Sequence, residues 1–190
     1  VFGYSWALPQ ILKKAGINTF MTTKISWNQY NRMPHDTFKW KGIDGSEVLT
    51  HFITTPEPWN EPGSWFYTYN GKLIPKTVKG TWDAYSEKQM NKELLIAYGF
   101  GDGGGGVNRD MLENRRRIDK IPGLPNLKTS TAAEYFRDLQ ETVKSRGQQE
   151  LEPTQHKQEG GMTLHEDEGM ENCIWSIIEE PIQVRHIISV

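Results

Sequence analysis

The chain has 190 residues and a net charge of −2, with both signs spread along it, so no basic stripe marks it for nucleic acid. Its one cysteine, Cys173, excludes an internal disulfide framework and fits a reducing compartment. No apolar run is long enough to span a bilayer, and the length suits one domain with a core of its own. The chain opens on Val1 with no signal-peptide pattern behind it, and reads as a cut within something longer. Seven each of Trp, Tyr and Phe are available both to fill a core and to stack on sugar or base faces.

Val1–Trp6 reads as the exit from a strand into a loop. Ser5 can cap a following helix whose first turn tolerates Pro9. Ala7, Leu8, Ile11 and Leu12 give that helix an apolar face, Lys13 and Lys14 suit its last turn, and Gly16 stops it. Ile17–Thr23 is rich in β-branched and apolar residues and predicts a strand. Loop, helix, glycine and strand form half of a βαβ unit, which puts Lys24 on the face where such folds bind ligands. A solvated lysine is the alternative at that position.

Residues 25–45 are aromatic and polar. His35 and Asp36 are available to a metal or a proton, but no further ligand follows at a metal-site spacing, so a surface or supporting role is expected. Gly42-Ile43-Asp44-Gly45 signals a turn between Phe38–Trp40 and Val48–Ile53 and predicts a hairpin, with His51 a structural histidine within it. Residues 54–72 form a long aromatic loop carrying Pro56, Pro58, Pro62, Gly63 and Gly71, either a functional wall or a structural flap. Residues 75–93 predict a helix with Pro75 near its start and Val78, Trp82 and Tyr85 on one face.

Leu94–Tyr98 then reads as a short buried strand leading into Gly99-Phe100-Gly101-Asp102-Gly103-Gly104-Gly105-Gly106. A lone carboxylate among glycines, at the carboxyl end of a strand and before a helix capped by Asn108 or Asp110, occupies the place where α/β folds put functional loops. Asp102 is therefore a candidate for chemistry; a hinge whose Asp caps its own turn would use the same residues. Leu127–Thr129 predicts a short strand, and Thr131–Lys144 an amphipathic helix buried on Ala132, Tyr135, Phe136 and Leu139. Beyond Arg146 the composition changes. Residues 147–172 are polar and read as disordered, His165-Glu166-Asp167-Glu168 lacks the second histidine of a zincin motif, and Ile182–Val190 is strand-like. Alternating strands and helices predict an α/β fold with mainly parallel strands, an irregular C-terminal tail and ligand chemistry at the loops after the strands.

Four ordered segments resemble glycoside hydrolase family 38 α-mannosidases, in the cytosolic or vacuolar branch. They are Val1–Lys14, Thr22–Asn28, Phe38–Ser46 and Gly101–Gly106, and the resemblance covers residues 1 to about 144. It implies that residues 1–146 are the later part of a catalytic α/β barrel of about seven strands, with 147–190 a divergent tail. It also implies zinc-assisted, retaining hydrolysis of α-mannosides by two carboxylates about 5–5.5 Å apart. Residue by residue, the resemblance makes Asp102 the general acid, places Phe2 beside the sugar and Lys24 near the substrate. It puts the nucleophile, itself a zinc ligand, just before Val1 and the other zinc ligands outside the matching residues, so no metal ligand is assigned. The expected partner is a mannose-containing oligosaccharide, with no nucleic acid and no membrane, in the cytoplasm or vacuole, and the chain alone is expected to be inactive. Two rivals remain from the residues: a sugar-binding protein without turnover, and a phosphate- or nucleotide-binding α/β domain. Against the latter, the glycines lack the Gly-x-Gly-x-x-Gly context and no Gly-Lys-Ser/Thr follows.

Overall fold

The β-branched Thr19–Thr22 forms strand β1, which lies parallel to β3 (Glu47–Phe52) in the register Thr19 to Leu49 and Thr22 to Phe52. In this computed structural model, residues 3–27, 33–57, 66–101, 105–150, 157–159 and 187–189 are described. Helix α1 (Leu8–Lys14) precedes β1, with Pro9 in its first turn and Lys13 and Lys14 in its last. It ends where Gly16 takes a φ of 80°, letting Gly16 N–H and Ile17 N–H bond back to the carbonyls of Lys13 and Leu12. Two details differ from expectation. Ala7 occupies the cap position, and the Ser5 hydroxyl instead accepts from Ala7 N–H at 3.2 Å. Ile11, expected on the buried face, is exposed, because a helix this short turns only Leu8, Pro9 and Leu12 inward.

The predicted hairpin forms. Strand β2 (Thr37–Lys41) runs antiparallel to β3, with Thr37 opposite His51 and Lys41 opposite Glu47. Its turn is closed by Gly42 N–H to the Ser46 carbonyl at 2.8 Å and uses a φ of 82° at Gly45. The Asp44 carboxylate accepts from both the amide and the hydroxyl of Ser46, and the amide bond holds its pKa below the usual range. Phe38, Trp40, Val48 and Phe52 pack inward, with Trp40 wholly buried.

Helix α2 (Pro75–Ala84) starts at Pro75 but stops well before residue 93. The chain beyond is claimed by tertiary bonds: the Glu87 carboxylate accepts from Asp36 N–H and Thr37 N–H, both at 3.0 Å, and the Asp36 carboxylate accepts from Ser86 N–H at 2.8 Å. These bonds satisfy buried amides that helix continuation would leave unpaired. Strand β4 (Leu95–Ala97) follows and is buried on both faces. Leu94, Ile96 and Tyr98 meet Val78, Tyr85, Met111 and Ile118; Leu95 and Ala97 meet Ile53, Tyr135, Phe136 and Leu139. A continuous apolar run is what a strand covered on both sides requires.

Helix α3 (Arg109–Ile118) is capped by Asn108, whose side chain accepts from Met111 N–H at 2.9 Å. Strand β5 (Lys128–Ser130) leads to α4 (Ala132–Glu150), which begins with a reciprocal capping box between Thr131 and Glu134 and extends past the predicted end at Lys144. From the tail, β6 (Lys157–Glu159) pairs with the outer edge of β2, and β7 (Ile187–Ser189) lies between β4 and β5.

The strands thus form two sheets, β1-β3-β2-β6 and β4-β7-β5. The fold is mixed α/β, and the expectation of mainly parallel strands is corrected. Among the described residues only the β1–β3 and β2–β6 pairs are parallel, because a five-residue turn forces the hairpin antiparallel and β7 runs opposite to both its neighbours. No helix among the described residues is long and apolar enough to cross a membrane.

Candidate functional site

Because β1 and β3 are parallel, the segments leaving their carboxyl ends start on the same side of the sheet. After β1 comes a single 3-10 turn, Lys24–Ser26, so Lys24 stands where the sequence places it. After β3 the chain runs out through Thr54–Glu57 and returns through Phe66–Asn70. Thr68 N–H bonds the Thr55 carbonyl at 2.8 Å, and Glu57 N–H bonds the Phe66 carbonyl at 2.9 Å. The two segments are fastened together. The Ser26 hydroxyl donates to the Thr23 carbonyl at 2.8 Å and accepts from Tyr67 N–H at 2.9 Å. The Trp27 indole N–H donates to the Tyr67 carbonyl at 3.1 Å, and the Trp27 ring stacks on Phe66 with centroids 4.8 Å apart.

This zipper brings Tyr69 under the Lys24 ammonium, 4.7 Å from the ring centroid, with the Trp27 centroid at 5.4 Å. A cation over two aromatic faces is held by the ring quadrupoles. Lys24 N–H also donates to the Thr22 hydroxyl at 3.1 Å, and Tyr4 hydrogen-bonds that same hydroxyl. Burial pushes the Tyr4 pKa up, so it stays a neutral phenol.

The glycine loop enters from β4. Gly71 is wedged beside the end of that strand: its N–H donates to the Ala97 carbonyl at 3.0 Å and its carbonyl accepts from Gly99 N–H at 3.2 Å. A Cβ on Gly71 would lie 2.7 Å from the Ala97 oxygen, so the strand end admits only glycine without shifting. The loop is closed at its neck by Phe100 N–H to the Gly106 carbonyl at 2.9 Å. Gly101 N–H donates to Asn70 Oδ1 at 2.9 Å, and a Cβ on Gly101 would meet the Tyr69 ring edge at 3.2 Å. Tyr69 therefore lies under the Lys24 cation and beside Gly101 of the glycine loop. Phe100 and Trp27 remain exposed on these segments.

Of the expected site residues, Lys24 is where three segments converge. Phe2 and Asp102 lie outside the described residues, although Asp102 directly follows Gly101 in the chain. Tyr69 and Asn70 were not singled out by sequence; the Asn70-Gly71 dipeptide at the return of the aromatic loop was the available signal.

Elsewhere among the described residues, His35, Asp36, His51 and Glu87 bond to the scaffold. His35 pairs with Glu87 at 3.0 Å, and Glu87 in turn holds the Asp36 and Thr37 amides. His51 is wholly enclosed, with its Nδ1 2.8 Å from the Thr37 hydroxyl, which also accepts from the Tyr85 hydroxyl at 2.8 Å. With Tyr85 donating to it, the Thr37 hydroxyl has its own proton available for Nδ1, an arrangement that a neutral imidazole protonated on Nε2 satisfies. Burial drives its pKa down to about 3. No three His, Cys, Asp or Glu side chains converge to hold a metal among the described residues, so these residues do not fit a zinc site by themselves.

The Glycosyl hydrolases family 38 N-terminal domain matches residues 1–159. Over 139 residues the chain is 39% identical to Alpha-mannosidase G of Dictyostelium discoideum, covering 73% of this chain and 12% of that protein. It is 40% identical over 141 residues to Alpha-mannosidase 2C1 of Homo sapiens, again 73% of this chain and 12% of the relative. It is 37% identical over 142 residues to an Alpha-mannosidase of Saccharomyces cerevisiae, with 72% and 12% covered. The chain thus spans about one eighth of the length of these curated relatives. With the match running through the Lys24 turn, the hairpin and the glycine loop, this chain belongs to glycoside hydrolase family 38.

Proposed function

We propose that the protein containing this chain is a retaining α-mannosidase that removes terminal α-mannosyl residues from mannose-containing oligosaccharides, and that residues 1–146 supply the later part of its α/β barrel. The observation that carries this reading is the convergence, through Tyr69 and Asn70, of the Lys24 turn with the glycine loop that bears Asp102. Glycoside cleavage needs a proton for the departing oxygen and a carboxylate to take the anomeric carbon. In this reading Asp102 is the general acid: as the bond from anomeric carbon to glycosidic oxygen breaks, its proton passes to that oxygen and Asp102 is left as a carboxylate. Lys24 offers its ammonium to substrate oxygens, and Phe2 lies against the sugar face.

The nucleophile and any zinc site belong to residues other than those described here, so no step is derived through the metal; when bound, it would help polarise and orient the sugar. On the same reasoning residues 1–190 alone are inactive, residues 147–190 are a divergent tail that adds β6 and β7 to the two sheets, and the enzyme works in the cytoplasm or vacuole.

The test is turnover by the full-length protein of an aryl α-mannoside and of a mannose oligosaccharide, with the aryl β-mannoside and α-glucoside as controls. Selective α-mannoside hydrolysis by the full-length protein, absent from residues 1–190 alone, is the expected result. Mannose binding without any turnover by the full-length protein would overturn the enzymatic reading in favour of a lectin-like one.

A further inference from the structure

Lysine carries its charge on a flexible stem, so where the ammonium stands depends on how the peptide at its base is turned. At Lys24 that peptide is held by a side chain. The Lys24 N–H donates to the Thr22 hydroxyl at 3.1 Å, which orients the Thr23–Lys24 peptide unit where β1 gives way to the 3-10 turn. On the other side of the residue, Trp27 N–H bonds the Lys24 carbonyl at 3.1 Å. From this fixed base the stem runs to the faces of Tyr69 and Trp27.

A threonine hydroxyl has staggered alternatives, and turning away from its present one would strip the Lys24 amide of its acceptor. The Tyr4 hydroxyl, hydrogen-bonded to the same oxygen, holds it in place. Tyr4 is itself firmly seated. Its ring meets Phe20 edge-on with centroids 5.0 Å apart, and Phe20 continues to the buried Trp40 ring at 5.6 Å. Two residues on, Trp6 is tied to the hairpin: its indole N–H donates to the Lys41 carbonyl and its own carbonyl accepts from Ile43 N–H, both at 3.2 Å. The backbone of Thr22 is fixed as well, by Ile53 N–H to the Thr22 carbonyl at 3.0 Å. A rigid phenol and a rigid strand thus meet at one hydroxyl. That hydroxyl takes the Lys24 amide hydrogen on one lone pair and still has a proton and a second lone pair to meet Tyr4. Burial keeps the phenol neutral, so the link adds no charge beside the lysine.

We propose that Tyr4 is a positioning residue for Lys24: through the Thr22 hydroxyl it fixes the base of the lysine, and with it the place where the ammonium meets substrate oxygens. This rests on Lys24 being a substrate contact. A phenylalanine in place of Tyr4 would keep the ring packing and lose only the hold on Thr22, which makes the role separable from the fold.

The experiment is a double-mutant cycle of Tyr4→Phe and Lys24→Met in the full-length protein, with Thr22→Val alongside, read as kcat and KM on α-mannosides with good and with poor leaving groups. Tyr4→Phe should lower kcat/KM about three- to tenfold, the range one neutral hydrogen bond carries. The loss should fall mainly on KM and equally on both substrates, because a binding contact is weakened and the proton donor is untouched. Thr22→Val, which keeps the side-chain shape and drops the hydroxyl, should give the same pattern. With Lys24→Met already in place, Tyr4→Phe should change kcat/KM by less than about twofold, because the group it positions is gone. An unchanged kcat/KM in Tyr4→Phe, or a loss confined to the poor leaving group, would overturn the assignment. If Lys24→Met lowers kcat/KM and Tyr4→Phe adds its full loss on top, only the positioning role fails. If Lys24→Met leaves kcat/KM as in the parent, the reading of Lys24 fails first, and the role of Tyr4 through it fails with it.

Discussion

Around His51, polar groups face one another inside the core; around Lys24, groups of the same kinds sit at the ends of strands and stay partly open. The enclosed cluster spends its hydrogen bonds internally: Tyr85 to Thr37, Thr37 to His51, Glu87 to two backbone amides and to His35. The fully buried His51 imidazole is held neutral, with its Nδ1 taken up by Thr37. In the open cluster the bonds run between loops instead, Trp27 to Tyr67 and Asn70 to Gly101, and leave the Lys24 ammonium over two ring faces. Among the described residues, His35, Asp36, His51 and Glu87 therefore belong to the scaffold. A lysine, a tyrosine, an asparagine and glycines mark the site.

The contrast is broken most forcefully on the enclosed side. Glu87→Ala strands the buried amides of Asp36 and Thr37, and should cost about 3 kcal/mol of stability, measured by denaturant unfolding, while the ratio of rates on good and poor leaving groups stays as in the parent. A change in that ratio would mean that the two regions are coupled.

The next effect is pH-dependent. The folded pKa of His51, about 3, lies below its unfolded value near 6.5, so its contribution is complete above that value and is lost as pH falls. Between pH 6.5 and 3 the unfolded chain takes up a proton that the native core refuses, giving a slope of at most about 1.4 kcal/mol per pH unit. Unfolding at pH 7, 6 and 5 should show this slope, and His51→Asn, which keeps an acceptor for Thr37, should flatten it. An unchanged slope would mean another group drives the loss.

The smallest effect on stability is expected at the open side. Lys24→Met removes a partly buried cation from the rings and should cost about 1 kcal/mol or less. On α-mannosides, loss of a charged contact to substrate should lower kcat/KM by about tenfold or more. A large stability loss with unchanged kcat/KM would move Lys24 to the scaffold.

The scaffold was well legible in the sequence. The apolar run Leu94–Tyr98 gave the doubly buried strand, Asn108 gave the cap of α3, and Gly42–Gly45 gave the hairpin turn, because each depends on local chemistry. The end of α2 was not legible, since it is decided by Glu87 bonding to residues some fifty positions earlier in the chain. The antiparallel insertion of Ile187–Ser189 between β4 and β5 likewise depends on a long-range pairing that local pattern does not encode. At the site, Lys24 was legible as a residue at a strand end. Tyr69 looked like one aromatic among several, and Asn70 like a turn residue, because their roles arise only when the third segment, at Gly101, folds against them.

The most direct test of the division between scaffold and site is a leaving-group series on the full-length protein. Log kcat/KM for α-mannosides is plotted against leaving-group pKa for the parent, Asp102→Asn and His51→Asn. The account predicts a much steeper dependence in Asp102→Asn alone, with rates on the best leaving groups largely kept, and a parent-like slope in His51→Asn. A parent-like slope in Asp102→Asn, or a steep one in His51→Asn, would contradict it and place the proton donor elsewhere.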